Sequence, residues 1–216
     1  MKNIPESAGL SSFNLLDQTA FFQALDIRPG MTVLDLGCGL GNYAIDLCPL
    51  VGTDGFIHAF DLWEEGIEIL NARALHARFN NIRANVVDVT GNIPVEDRSV
   101  DLSLMATIIH ILIHEKSADN ILTEVRRVLK PEGVVAIVEF KKMNGPPGPP
   151  LSMRLSPPEL DEFLASHALR MIKCMDIGPY NYLSFFKMSL KGKMALAGSG
   201  DAEGGGEFVS KAEIDW

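Results

Sequence analysis

Cysteine is scarce in this chain, and the three present, Cys38, Cys48 and Cys174, stand far apart with no CxxC spacing among them. An odd, scattered set supports neither a disulfide framework nor a zinc cluster, so a reducing compartment and no metal site are expected. Basic residues are in deficit as well: 19 Lys and Arg against 28 Asp and Glu leave a formal charge of −9. Nucleic-acid binding draws on a basic footprint, so no nucleic-acid partner is expected. Long apolar runs are also missing. The most apolar stretch, residues 102–113, is interrupted by Ser103, Thr107 and His110. It falls short of the roughly 18 residues that a spanning helix needs. Residues 1–10 contain Pro5, Glu6 and Gly9 and no apolar core, which argues against a signal peptide or anchor. The expectation is a cytoplasmic protein without a membrane span.

What is present is an alternation of short apolar runs with amphipathic ones. The 216 residues suffice for one domain with a sizeable core, and 47% hydrophobic with 22% charged residues is ordinary for a globular chain. Residues 11–26 carry Leu15, Leu16, Thr19, Phe22 and Leu25 at helical spacing, stopped by Arg28-Pro29-Gly30. Strands are predicted at 32–36, 56–60, 82–87, 100–105 and 134–140. Helices are predicted between them at 43–50, 64–79 and 117–129. The 64–79 helix sets Ile67, Leu70, Ala74 and Leu75 along one side, and Ser117 caps the last one. This order predicts an α/β fold with a parallel sheet covered on both faces. Asn144-Gly145-Pro146-Pro147-Gly148-Pro149-Pro150 is a stiff extended loop, because proline lacks an N–H and fixes φ. A helix from Pro157 to about His167 and two strands, 170–177 and 182–190, close the fold as an antiparallel hairpin. The expected organisation is an N-terminal helical segment over 1–30, the α/β domain over 31–192 and a disordered Gly- and Glu-rich tail over 193–216.

The run Val33-Leu34-Asp35-Leu36-Gly37-Cys38-Gly39-Leu40-Gly41 is the most informative segment. It reads as a buried strand ending in an acid, then a loop with glycine at alternate positions, then a helix N-terminus with free N–H groups. Such a unit describes a nucleotide-type pocket. A dinucleotide fingerprint is G-x-G-x-x-G, but here Asn42 stands where the third glycine belongs. Asp35, two residues before the first glycine, would repel a pyrophosphate. S-adenosylmethionine has no phosphate and carries a sulfonium and an ammonium, so the electrostatics favour that cofactor. Asp35, Asp61, Asp88 and Glu139 are all expected at the carboxyl edge of the sheet, where open α/β folds bind ligands.

The sequence resembles the class I S-adenosylmethionine-dependent methyltransferases, in the group that holds the ubiquinone- and menaquinone-biosynthesis and arsenite enzymes. VLDLGCGLG is similar to the family's first motif, His58-Ala59-Phe60-Asp61-Leu62 to its second strand and Val86-Val87-Asp88-Val89 to its third. IPVEDRSVD (93–101) and VRRVLKPEG (125–133) resemble two further segments, and the likeness runs over about residues 10–140. The resemblance implies a Rossmann-like, doubly wound sheet of seven strands, mostly parallel, with an antiparallel last strand. It implies that Asp61 binds the ribose hydroxyls, that Leu62 and Val89 pack on adenine, and that Asp88 accepts from its amine. Gly37, Cys38, Gly39, Gly41 and Met105 complete the expected cofactor set with Asp35, which is either a direct ligand or a structural acid bonding the loop amides. Trp63 either covers the ribose or caps a helix.

The implied reaction is in-line methyl transfer to a small-molecule acceptor, in which orientation supplies much of the catalysis. The alternatives are a non-catalytic binding module or a dinucleotide oxidoreductase. His110 is the first candidate for a general base and Glu139 the second. His110 and His114 share a face at i and i+4 but lack a third metal ligand. Without a cysteine cluster the arsenite branch is disfavoured. The proline-rich loop either lines the acceptor site or is a plain connector. Oligomeric state is left open.

Overall fold

The computed structural model describes residues 9–189, so the expected tail at 193–216 lies outside the described residues. Strands β1 (Thr32–Leu36), β2 (Phe56–Asp61), β3 (Ile82–Val86), β4 (Val100–Ala106), β5 (Leu129–Phe140), β6 (Leu169–Asp176) and β7 (Asn181–Met188) form one sheet in the order β3-β2-β1-β4-β5-β7-β6. The neighbours from β3 to β5 pair in parallel, and β7 runs antiparallel to both β5 and β6. This is the expected seven-stranded α/β sheet. The last strand in sequence inserts between β5 and β6 instead of lying at the edge.

Helices α1 (Gln18–Leu25), α2 (Asn42–Val51), α3 (Glu64–His76), α4 (Ile109–His114), α5 (Ala118–Val128) and α6 (Pro157–Ser166) cover the sheet. One face buries Leu34, Leu36, Met105, Ile137 and Phe186 under Ile121, Leu122 and Val125 of α5. The other buries Val33, Ile57, Leu104 and Val138 under Leu47 of α2 and Ile67 and Leu70 of α3. Alternate residues of each strand feed opposite faces, so both faces are apolar and both are roofed. Each fully buried Leu or Ile stabilises the fold by about 2 kcal/mol relative to exposure.

Several local expectations shift. The single helix over 11–26 is a 3-10 turn (Phe13–Leu15) followed by α1, because the Asp17 carboxylate caps α1 by accepting from the Ala20 N–H at 3.0 Å. The break turns Phe21 rather than Phe22 into the core, beside Phe13, Leu16 and Leu25, while Thr19 faces solvent. In α3 the buried stripe is Ile67, Leu70 and Ala74, and Leu75 is 79% exposed. Ser117 stands at the start of α5 but caps nothing; its hydroxyl donates back to the Leu112 carbonyl at 3.3 Å. The strand expected at 134–140 starts earlier, directly after α5. β5 already begins at Leu129, and its register against β4 jumps from Val100/Leu129 to Leu102/Val134. Pro131, which has no N–H to give a ladder, sits in that irregularity. Finally, α4 is a short helix that the sequence pattern did not separate from the apolar run before it.

The two motif segments at 93–101 and 125–133 are joined structurally. Arg127 donates to the carbonyls of Ile93 (2.8 Å) and Val95 (2.9 Å) and to the carboxylates of Asp97 and Glu124. Its guanidinium holds the Glu124 carboxyl below its usual range. These residues pin the loop before β4 to α5 and stand outside the site described next.

Candidate functional site

The strand order reverses at β1, which has β2 on one side and β4 on the other. At such a switch point the connections leave in opposite directions, and a crevice opens beyond the carboxyl ends. The glycine loop lies there. Gly37 and Cys38 donate backbone N–H bonds to the Phe60 carbonyl at 2.8 and 3.1 Å, which ties the loop to the end of β2. Gly39 has φ +54 and nothing within 4 Å of where a Cβ would stand, so its face is open to a ligand. Gly41, the residue before α2, has φ +72 and a different constraint: a Cβ there would lie 2.2 Å from Leu70 Cδ1. Gly41→Ala should therefore lose about 2 kcal/mol of unfolding free energy from overpacking and left-handed strain, read by urea denaturation. A loss within 0.5 kcal/mol (about one tenth of a typical domain's stability) would contradict this account of the loop.

Asp61 ends β2 and faces the loop. One carboxylate oxygen accepts the Gly39 N–H and the other the Trp63 N–H, each at 2.8 Å. Each oxygen keeps one lone pair for a ligand. Asp35 differs. It is 1% exposed and neither of its oxygens has a hydrogen-bond partner, so it is not a structural acid bonding the loop amides. Burial first, and then the Asp61 charge, pushes its pKa up to about 7. An unpartnered buried carboxyl is costly, and it fits a donor or cation arriving from outside the chain.

Among the remaining expected positions, Val89 is buried and Leu62 is 52% exposed after β2. Asp88 is exposed just past β3, and one of its oxygens accepts from the Thr90 N–H (2.9 Å) and hydroxyl (2.6 Å). Cys38 is buried, and burial and the nearby Asp35 and Asp61 charges raise its thiol well above the usual range, so it carries no thiolate. Met105 is a correction: its side chain is wholly buried in the sheet core and does not reach the open edge. Trp63 does not use its side chain as a cap; its ring lies over Gly66, where a Cβ would stand 2.5 Å from Cε3.

On the other side of the switch point the structure brings His110 and Glu139 together. His110 Nδ1 lies 2.8 and 3.0 Å from the two Glu139 oxygens, which also accept the N–H groups of His110 (3.3 Å) and Phe140 (3.1 Å). Glu139 is wholly buried and fully engaged, which corrects its expected role as a base that meets the acceptor itself. It fixes the orientation of His110 and leaves Nε2 as the ring's remaining nitrogen. His114, one turn on, is exposed and takes no part. Among the described residues no cluster of three or more His, Cys, Asp or Glu could hold a metal.

Sequence reasoning missed the cover of the site. Gly9, Leu10 and Ser11 lie over Gly37 and Cys38, enclosing a hollow of about 30 Å3 together with Tyr43 and Thr107. The cover is held by a buried hydrogen bond of 2.8 Å between the Ser12 and Tyr43 hydroxyls and by edge-on packing of Phe13 against Tyr43. Nothing local in the sequence pairs residues 12 and 43. A larger groove of about 690 Å3 lies at the opposite, amino edge of the sheet, lined by Arg28, Asp101, Lys130, Glu132 and Lys187. Its Lys130 and Lys187 are already paired with Asp101 and Glu132, and it holds no unpartnered buried group, so size alone does not make it the site.

The sheet order, the glycine loop at the switch point and the acids facing it define a Rossmann-like α/β protein of the methyltransferase type. Residues 27–168 match the family model described as a methyltransferase domain, and the chain belongs to that family. It is 31% identical over 129 residues to a demethylmenaquinone methyltransferase of Lactobacillus johnsonii, covering 58% of this chain and 50% of that one. It is 34% identical over 121 residues to a 2-phytyl-1,4-naphtoquinone methyltransferase of Trichormus variabilis, covering 54% and 50%. The chain thus spans about half the length of these curated relatives. A solved SAM-dependent methyltransferase from Aquifex aeolicus superposes with a TM-score of 0.74 at 28% identity, over 85% of this chain and 95% of that one. No helix among the described residues is long and apolar enough to cross a membrane.

Proposed function

We propose that this chain binds S-adenosylmethionine over the glycine loop and passes its methyl group to a small-molecule acceptor. The observation that carries this is Asp35, a buried carboxyl with both oxygens unpartnered, two residues before the loop and beside Asp61. Two acids at one pocket suit a cationic ligand and oppose a pyrophosphate, which disfavours a dinucleotide. Asp61 is the residue for the ribose hydroxyls, Leu62 and Val89 for the adenine faces, Asp88 for its amine and Asp35 for the positive methionine end. The cofactor, when bound, supplies a methyl on a sulfonium leaving group. The chain's own part is to orient the acceptor in line with it and to take the proton that the acceptor loses. His110 Nε2 is the group assigned to that proton, with Glu139 stabilising the imidazolium that forms. Three free cysteines agree with a cytoplasmic setting.

Calorimetric titration with S-adenosylhomocysteine and, separately, with NADH tests the cofactor reading. Saturable binding of the first and none of the second is expected; the reverse result would overturn it. Incubation with methyl-labelled cofactor and a metabolite extract should then yield labelled small molecules. Cofactor binding without any labelled product would favour a binding module instead.

A further inference from the structure

The Met143–Met153 stretch, MNGPPGPPLSM, contains no charged residue. A loop this rich in proline and glycine has few backbone donors and no ladder to join, so its carbonyls need partners from elsewhere. Arg154 supplies them. Its guanidinium donates to the carbonyls of Pro149 (2.8 Å), Lys141 (3.3 Å), Met143 (2.8 Å), Gly145 (2.7 Å) and Pro147 (2.8 Å). The side chain is 3% exposed, and among the described residues no carboxylate pairs with it. The flanking lysines are occupied, Lys141 by Asp176 and Lys142 by Glu159. A buried cation given wholly to backbone carbonyls serves to hold one loop shape; a lysine, with one point charge and three donors, cannot reproduce that fork.

The knot reaches the end of β5 and the helix α4, the elements that carry Glu139 and His110. The Arg154 guanidinium lies over the Phe140 ring at 5.7 Å, and the loop presses on the same ring at Gly148, where a Cβ would stand 2.6 Å from Cδ1. Phe140 follows Glu139 on β5 with its ring on the opposite face, and its backbone N–H donates to the carboxylate that orients His110. The 3-10 turn Leu151–Met153 packs on α4, the helix that carries His110. Toward solvent the loop turns Met143 (41% exposed), Leu151 (42%), Pro146 and Pro150, with Asn144 and Ser152 as its polar members and no charge among them.

We propose that Arg154 is a positioning residue that holds the 143–153 loop as an uncharged, largely apolar wall against α4, the helix of His110, and that this wall selects an uncharged, apolar methyl acceptor. The proposal rests on the methyltransferase reading above. An ionic acceptor placed against this wall would lose hydration with no opposite charge to meet it. The loop's fixed shape lowers the ordering cost of binding a flat apolar molecule.

The test uses the full chain saturated with S-adenosylhomocysteine and three probes sharing one ring: 1-naphthol, 1-naphthoate and 1-naphthylmethylammonium. Binding is followed by naphthyl fluorescence anisotropy. 1-Naphthol is expected to bind at least about tenfold tighter than either ion, the range that one unpaired desolvated charge produces. Arg154→Lys should weaken 1-naphthol at least about fivefold and compress the preference, with S-adenosylhomocysteine affinity held within about twofold. Gly148→Ala, which forces the loop off Phe140 while keeping the arginine, should do the same and carries the test if Arg154→Lys fails to fold. Ions binding as well as 1-naphthol, no probe binding at all, or folded variants with unchanged preference would each overturn the proposal. A wild-type chain that does not bind S-adenosylhomocysteine would instead sink the cofactor reading beneath it.

Discussion

Asp35→Asn should make the ligand-free protein more stable at neutral pH and above, yet weaken its hold on the cofactor. The two effects have one cause. In the folded chain the carboxyl is buried without a partner, and burial together with the Asp61 charge pushes its pKa from an ordinary 3.8 up to about 7. Between those values the folded state binds more protons than the unfolded chain, so stability falls as pH rises. The contribution is fully present below pH 3.8 and is lost as pH climbs through about 7. Roughly three pK units correspond to about 4 kcal/mol. Asparagine does not titrate, but its unpaired amide costs about 1–3 kcal/mol, so the net gain above pH 8 should be about 1–3 kcal/mol. Urea unfolding across pH 5–9 should show a wild-type decline that the variant lacks. Calorimetry with S-adenosylhomocysteine should show wild-type affinity rising through neutral pH, as Asp35 ionises to meet the ligand's ammonium. The variant should lack that rise and bind about tenfold more weakly at high pH, the value of one charge-assisted contact. Equal wild-type and variant behaviour in both measurements would refute the assignment.

Asp61→Ala should cost more in affinity, at least about 100-fold for S-adenosylhomocysteine, while the fold survives. The carboxylate is assigned two hydrogen bonds from ribose hydroxyls, each worth about 1.5–3 kcal/mol when the acceptor is charged. It also holds the loop by accepting the Gly39 and Trp63 N–H groups, so its removal loosens the surface the cofactor lies on. Asp61→Asn keeps the size and one acceptor and should fall between the two. The pair also tests the coupling to Asp35. Asp61 is one of the causes that raise the Asp35 carboxyl, so either substitution should move the pH dependence of stability toward acid. An affinity unchanged within about threefold, less than a single hydrogen bond's worth, would exclude Asp61 from the site.

The residues that were legible in advance share one property: their meaning is local. Alternating glycines 37, 39 and 41 can be read without knowing what surrounds them, because φ of +70, +54 and +72 is open to glycine and strained for other residues. The acid at the end of β2 follows from counting along one strand, and α/β alternation follows from periodicity. Where reading failed, a non-local competitor prevailed. Met105 falls at the carboxyl end of an apolar strand, as a ligand would, but the pleat turned it into the core. Leu75 fits a helical stripe by residue type, yet the side of α3 buried on the sheet is that of Gly66, Ile67, Leu70 and Ala74.

Sequence alone was sufficient for the architecture, for the nucleotide-type loop and for the sign of charge around it, since backbone stereochemistry and hydrophobic period act over a few residues. It could not say which buried polar groups would meet. His110 and Glu139 are 29 residues apart, and Ser12 and Tyr43 are 31 apart. Arg154 gathers carbonyls from 141 to 149 that no pattern assigns to it. Nor could it say that Asp35 would be left with no partner. Those outcomes depend on which side chains the packed sheet excludes from water together, and a buried polar group takes the partner that three-dimensional packing leaves within reach.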